Sequence, residues 1–306
     1  MKDIVQDTIR NDSMLIAEDL ETIESTVYEA NREELIARTI FALNTDAHPG
    51  DETQGYDIIE AHGQAVVSSS GADDIPTVGE KVRREYNKIM SLESAFKISK
   101  QEQRKARKNN RTVKTYRAST ARRSVSEQEN TITFVGDADY DVEGVLNVTG
   151  LQEFNVPTDA DSVGTEWTNK TGFEKIADIR NARGKVAQED GFMPDTLVLP
   201  PAQYEQLQEP INQYNTNTIM SYLEDMGWFD TIVEISDLTE GDPEGANDVG
   251  LVLDTNPENM ELGLAMDIAM GDAIKQDNGS EKFNLEERFA GLMVRKPKAI
   301  CRFDGI

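Results

Sequence analysis

Four carboxylates at alternate positions, Asp137, Asp139, Asp141 and Glu143, form the stretch of this chain most like a cation-binding loop. Hard oxygen donors so spaced suit a divalent cation. The stretch departs from the helix–loop–helix calcium pattern at two places: Val142 stands where the sharp turn needs glycine, and Val148 where a bidentate glutamate belongs. The expectation is a solvated acidic turn, with Asp137, Asp139 and Asp141 as a weak metal candidate and no cofactor. Cys301 alternates with Ala299 and Phe303 and reads as a small buried hydrophobe, not a nucleophile. One cysteine cannot build a disulfide framework or a cysteine zinc site, and His48 and His62 are too few for a His-rich centre. Gly184-Lys185 lacks both the upstream glycine and the following Ser or Thr of a phosphate loop. Nucleophile elbow, dinucleotide fingerprint and zinc-protease helix are all missing. Carboxylates are too abundant for one acid–base pair to stand out, so the chain reads as a non-enzyme.

Charge is more informative. The 306 residues carry a formal −26, yet Glu80–Arg123 holds 15 of the 31 Lys and Arg against four Glu. That stretch is +11 and the remainder −37. So sharp a split predicts one surface that meets something negative, either nucleic acid or the acidic face of another copy. The remaining Asp and Glu are spread through every loop, and the isoelectric point is about 4.4. Such a surface is a known lever in halophiles, so a salt-adapted protein is expected. No apolar run approaches the roughly 20 residues that span a bilayer, and no signal peptide is recognisable.

The elements that position these charges follow from spacing and punctuation. Residues 1–11 read as a polar arm. Asp12 or Ser13 then caps a helix with Ile16, Leu20, Ile23 and Val27 on one face, continued by Leu35, Ile36, Ile40 and Phe41 to about Leu43. Residues 44–56 read as loop, Ala61–Ser69 as strand, 68–74 as a tip and Val78–Ile98 as a long extended return. A two-stranded excursion with few large apolar residues is marginal in water, so it needs another surface to lie on. Ser99 with Glu102 makes a capping box for a helix from Lys100 to about Val135, broken at Asn109-Asn110. Val113, Tyr116, Ala121, Val125 and Ile132 give it a single narrow apolar stripe. Thr171 and Glu174 cap a further helix that buries Phe173, Ile176, Ile179 and Val186. Asp195–Leu199 is a strand stopped by Pro200-Pro201, with Pro201 opening the next helix. A short helix over Thr218–Met226, the strands TIVEI and GLVLD, the segment ELGLAMDIAM and a C-terminal strand pair bent at Pro297 complete an α+β chain.

Taken in order, FKISKQEQRKAR, the helix ending SEQENTITFVGD, then VEGVLN, PDTLVLPPAQYEQL and finally ERFAGLMVRKPKAICRFDGI resemble the major capsid proteins of tailed double-stranded DNA viruses and the related encapsulin shell proteins. The resemblance covers residues 57–306. It implies the tailed-phage major capsid protein fold: an N-terminal arm with a helix (1–56), an extended loop hairpin (57–98), a peripheral domain (99–190 and 263–294) with a spine helix over about 112–135, and an axial domain (191–262 and 295–306). It further implies a subunit of hexamers and pentamers in an icosahedral shell that encloses double-stranded viral DNA. Located in the virion and assembled in the host cytoplasm, it would contact genomic DNA nonspecifically, a portal and decoration proteins, and no membrane. The acidic composition adds a haloarchaeal host to that expectation.

Two sets of cations are the candidate contacts. Arg104, Lys105, Arg107, Lys108 and Arg111 would face packaged DNA or an acidic neighbour. Lys81, Arg83, Arg84 and Lys88 would make contacts between subunits through the extended loop. Some relatives cross-link through a loop lysine; Lys81 and Lys88 lie in that region, but without a matching Asn and acid no cross-link is expected. With only 1–56 ahead of the loop, a cleaved built-in scaffold is not expected either. The alternative is an encapsulin-type nanocompartment holding protein cargo, against which the basic stretch argues. A free-standing nucleic-acid-binding module is disfavoured by the −37 outside that stretch.

Overall fold

The computed structural model describes residues 35–63, 77–102, 104, 113–160, 164–189, 191–242 and 247–306. In chain order the helices are α1 (Ala37–Ile40), α2 (Val113–Phe134), α3 (Gly172–Ala187), α4 (Pro201–Gln206) and α5 (Ile219–Asp225). The first strands are β1 (Leu43–Asn44), β2 (Thr53–His62), β3 (Gly79–Lys88) and β4 (Met90–Ile98). Next come β5 (Gly136–Asp137), β6 (Val142–Glu143), β7 (Gln152–Asn155), β8 (Thr196–Leu199), β9 (Pro210–Asn212) and β10 (Asn215–Thr218). The last are β11 (Thr231–Glu234), β12 (Val249–Leu253), β13 (Met260–Met270), β14 (Ile274–Lys275), β15 (Glu281–Val294) and β16 (Ile300–Asp304).

Two sheets organise the chain. In the first, β15 is the hub: it pairs antiparallel with β13 and β14 and, through Glu281↔Ile98 to Phe289↔Met90, with β4. Helix α2 lies along it and presses Ala121 and Val125 against Phe96, Phe283 and Leu285. The second sheet runs β11-β8-β12-β16-β7. Every residue of β8 and β12 is buried, because Val198, Leu251 and Leu253 join one core while Leu197, Leu199 and Val252 join another. A strand covered on both faces reads as an unbroken apolar run, which is what TLVL and GLVL are. Helices α3 and α5 cover the far face with Ile179, Ala182, Val186, Ile219 and Leu223.

The local expectations mostly hold. The Thr171–Glu174 capping box is present, Pro201 is the first residue of α4, and the Thr218 side chain caps α5 by accepting from Ser221 N–H. Ser99 and Glu102 cap each other reciprocally. Arg117 and then Ser99 hold the Glu102 carboxyl down at about 2. Cys301 is fully buried, and burial pushes its thiol up to about 12, so a thiolate is suppressed.

Four expectations need correcting. Among the described residues the helix expected to reach Leu43 is the single turn α1; Phe41 is extended, and Leu43–Asn44 instead joins β13 in parallel, with Leu262 N–H donating to the Ala42 carbonyl. A sheet edge that needed a partner overrode helical spacing. The first long strand begins at Thr53, inside the expected loop, and ends at His62, where Ala61–Ser69 was the expected strand; residues 64–69 lie outside the described residues. Phe173, expected to be buried, is 61% exposed, whereas Ile176, Ile179 and Val186 are buried as expected. Tyr116 is also exposed, which leaves Ala121, Val125 and Ile132 as the buried stripe positions among the described side chains of α2. The expected helix over 12–34 and the break at Asn109-Asn110 lie outside the described residues.

Candidate shell-contact surfaces

β2 and β3 pair over ten residues each, from Thr53↔Lys88 to His62↔Gly79. Alternation in a strand sends neighbouring side chains to opposite faces, so each face carries its own set. On one face lie Lys88, Tyr86, Arg84 and Val82, with Asp57 opposite Arg84 and Ile59 opposite Val82. Ile59, Val82 and Tyr86 are each more than half exposed, the first two side by side and Tyr86 beyond the Arg84–Asp57 pair, and exposed apolar side chains on one face are what a docking surface offers. Arg84 clasps Asp57 through two hydrogen bonds of 2.5 and 2.8 Å, which pins the register without covering the apolar pair. Asp57 is held below its ordinary value by that guanidinium.

The other face secures the hairpin root. Asn87 Nδ2 donates to the carbonyls of Ala290 and Leu292 on β15. The Tyr56 hydroxyl sits 3.2 Å from the Val294 carbonyl and 3.1 Å from the Glu85 carboxylate, under the Arg295 guanidinium. Burial, then Glu85, pushes the Tyr56 hydroxyl up to about 12. The root is therefore tied to the hub strand, while beyond it, among the described residues, β2 and β3 form a two-stranded sheet.

The four loop cations expected to act together are divided between the faces: Arg84 and Lys88 share one, Lys81 and Arg83 the other. All four are exposed, and Arg83 also pairs with Glu85 at 2.9 Å. Of the second set, Arg104 is exposed on a helical segment; Lys105, Arg107, Lys108 and Arg111 lie outside the described residues. Further along α2 the cations are used internally. Arg117 binds Glu102, Arg122 donates to the Ile268 carbonyl and Arg123 pairs with Glu127.

The acidic turn does not assemble a cation site. Among the described residues no three His, Cys, Asp or Glu side chains converge for a metal. Asp137 accepts from the Asp139 N–H, Asp141 takes a left-handed backbone at φ 59°, and Glu143 turns away to bind the backbone and hydroxyl of Thr149. Alternate positions across a tight turn point apart, which the spacing alone could not reveal.

A model of the major capsid protein family matches residues 63–306. This chain belongs to that family. The structure is similar to the capsid of the Myoviridae phage XM1, with a TM-score of 0.78 at 15% identity over 96% of this chain and 100% of that one. It is also similar to the capsid of a native GTA particle, with a TM-score of 0.69 at 11% identity over 93% and 94% of the two chains. A type 1 encapsulin shell protein, EncA of Myxococcus xanthus, is 24% identical over 285 residues, 92% of this chain and 91% of its own. The family member is thus an α+β shell protein with the tailed-phage capsid fold. Among the described residues no helix is long and apolar enough to cross a membrane.

The sequence missed the apolar trio on the hairpin, because Ile59, Val82 and Tyr86 lie 23 and 27 residues apart along the chain and meet only through the register. A period-2 reading of KVRREY gave no hint that Val82 and Tyr86 share a face with Ile59. It missed Arg38 as well, which is described below.

Proposed function

We propose that this protein is the major capsid protein of a virion, assembling as hexamers and pentamers into an icosahedral shell around double-stranded DNA. The observation that carries the reading is the β2–β3 hairpin, tied at its root to β15 and presenting Ile59, Val82 and Tyr86 more than half exposed among the described residues. A neighbouring copy covers them, and repeated over a shell many such modest contacts sum to a stable container. In this reading residues 1–56 form the arm, 57–98 the extended loop, 99–190 with 263–294 the peripheral domain, and 191–262 with 295–306 the axial domain. A portal and decoration proteins are its further partners.

Replacing Ile59 and Val82 together by glutamate tests the loop contact. The double variant is expected to stay folded by circular dichroism but to sediment as small oligomers where the parent forms shells. Shells of normal size and yield would remove the hairpin from the assembly. Arg104, Lys105, Arg107, Lys108 and Arg111 address DNA phosphates or an acidic neighbour. Changing all five to glutamine separates the two, since shells that form but retain less DNA indicate genome contact, and shells that fail to form indicate subunit contact. Phosphate contact would be independent of sequence and weakened by salt.

The encapsulin likeness over nearly the whole chain favours a second reading, a nanocompartment that holds protein cargo. Purified particles treated with nuclease decide between them. Protected double-stranded DNA is expected; protein-filled shells without DNA would replace the viral reading with the second.

A further inference from the structure

Arg38, on the single turn α1, reaches into the seam between α2 and the first sheet. Its guanidinium binds Glu129 of α2 at 2.7 and 2.8 Å, Asp267 of β13 at 3.0 Å, and Glu287 of β15. Glu129 and Glu287 are 3% and 0% exposed, whereas Asp267 lies at the solvent rim. In the dry part of the seam two carboxylates thus meet one guanidinium, an excess of one negative charge. The other groups facing this point do not cancel it. Arg122 of α2 lies at the rim beside Asp267, Asn130 of α2 is a neutral amide bound to the Ala37 N–H, and β4 presents Leu92 opposite Glu287. With both carboxylates ionised, Glu287 Oε2 has no hydrogen-bond partner among the described residues. A proton on Glu287 removes the excess charge and creates a donor within reach of Glu129.

We propose that this seam is a proton latch: the buried Glu287 holds a proton beside Glu129 and Arg38, and its loss loosens α2 and the segment 35–44 from the sheet. Arg38 is the bolt, since it is the residue through which α1 touches Glu129 and Glu287 at once. Behind it, Ile36, Ala37, Ile40 and Phe41 pack into the core and β1 pairs with β13 over two residues, while the Arg38 contacts add the charged tie from this segment to α2 and β15. A cavity of about 270 Å³ bordered by Arg38, Arg122, Glu129 and Asp267 gives water a route to the seam once it opens.

Burial, and then the neighbouring Glu129, push the Glu287 carboxyl up to about 8. A carboxyl raised in the folded state favours folding fully below its ordinary value, and that contribution drains away as pH rises towards the raised one. The closed seam is therefore favoured most in mild acid, loses that advantage progressively through neutrality and has lost it in mild alkali.

Backbone hydrogen exchange of the assembled protein, corrected for the intrinsic pH dependence, is the test. Protection of residues 36–44 and 126–134 is expected to fall about tenfold or more between about pH 6 and pH 9. Glu287→Gln, neutral at every pH and able to donate to Glu129, is expected to abolish that fall. Equal pH dependence in parent and variant would overturn the latch. Should the variant not fold, the infrared carbonyl stretch of a neutral carboxylic acid in the parent decides. A band that persists at about pH 6 and titrates away by about pH 9 supports the proton on Glu287, and its absence at pH 6 overturns it.

Discussion

Replacing Asp178 by alanine is expected to cost about 3–5 kcal/mol, enough to remove much of the stability of an ordinary domain. Asp178 Oδ2 accepts from Lys170 Nζ at 2.7 Å and from the Trp167 indole N–H at 3.2 Å, and the two charged side chains are 2% and 1% exposed. Burial pushes the Asp178 carboxyl up, and Lys170 and Trp167 pull it back, so the pair is held by geometry against a desolvation cost. Truncating the acid strands an ammonium in a core that contains Trp167, Ile179, Phe303 and Leu197. Because the penalty comes from the stranded charge, Asp178→Leu combined with Lys170→Met should recover most of the loss, as paired removal of buried ions generally does. The urea midpoints of both variants check this. A single alanine variant within about 1 kcal/mol of the parent would mean that Lys170 finds another counter-charge or reaches water.

The same physics explains what was legible in the chain. Caps and breakers act over three or four residues, so Thr171 with Glu174, Thr218 and Pro201 fixed their helix starts without help from the rest of the molecule. The doubly buried strands TLVL and GLVL announced themselves as unbroken apolar runs. Elements set by distant partners were not legible. Leu43–Asn44 is a strand only because β13, with which it pairs Leu43↔Leu262 and Asn44↔Gly263, offers it an edge, and no local pattern encodes that edge. The contact surfaces divided in the same way. The clustering of cations over Glu80–Arg123 was plain, but which side chains of β2 share their faces depends on register, and the carboxylates of the acidic turn point apart. Arg38 was hidden for a different reason. In LIARTIF it looks like the polar face of an amphipathic helix, and only the fold brings Glu129, Asp267 and Glu287 to it.

Gly144→Ala is the second change with a large expected effect, and it accounts for the TFVGD…VEGVLN join on which much of the family resemblance rests. After α2 the chain reverses through β5 and β6 so tightly that backbone packs on backbone. A Cβ at Gly144 would lie 2.4 Å from the Gly136 nitrogen and 2.6 Å from the Phe134 carbonyl oxygen. At Gly136, which sits at φ 82°, it would lie 2.5 Å from the Val142 carbonyl oxygen. Asn147 locks the reversal, its Oδ1 accepting from the Gly144 N–H at 2.6 Å and its Nδ2 donating to the Val135 carbonyl at 3.2 Å. Val145 and Leu146 then return N–H bonds to the carbonyls of Thr133 and Phe134, seating two buried side chains beneath the end of the helix. A methyl group at Gly144 cannot be absorbed by a side chain moving aside, because its neighbours are main-chain atoms of the helix end itself. The cost should therefore exceed the roughly 1–3 kcal/mol of ordinary overpacking, and soluble folded protein should be largely lost. Gly184→Ala is the matched control. It sits inside α3, where an added Cβ meets only the far end of Gln188 at 3.8 Å, and it should stabilise by about 0.5–1 kcal/mol through helix propensity alone. The two melting temperatures should move in opposite directions from the parent's. If Gly144→Ala melts with the parent, the reversal can open without loss, and the close approach of α2 to β6 is not what holds the spine helix at its end.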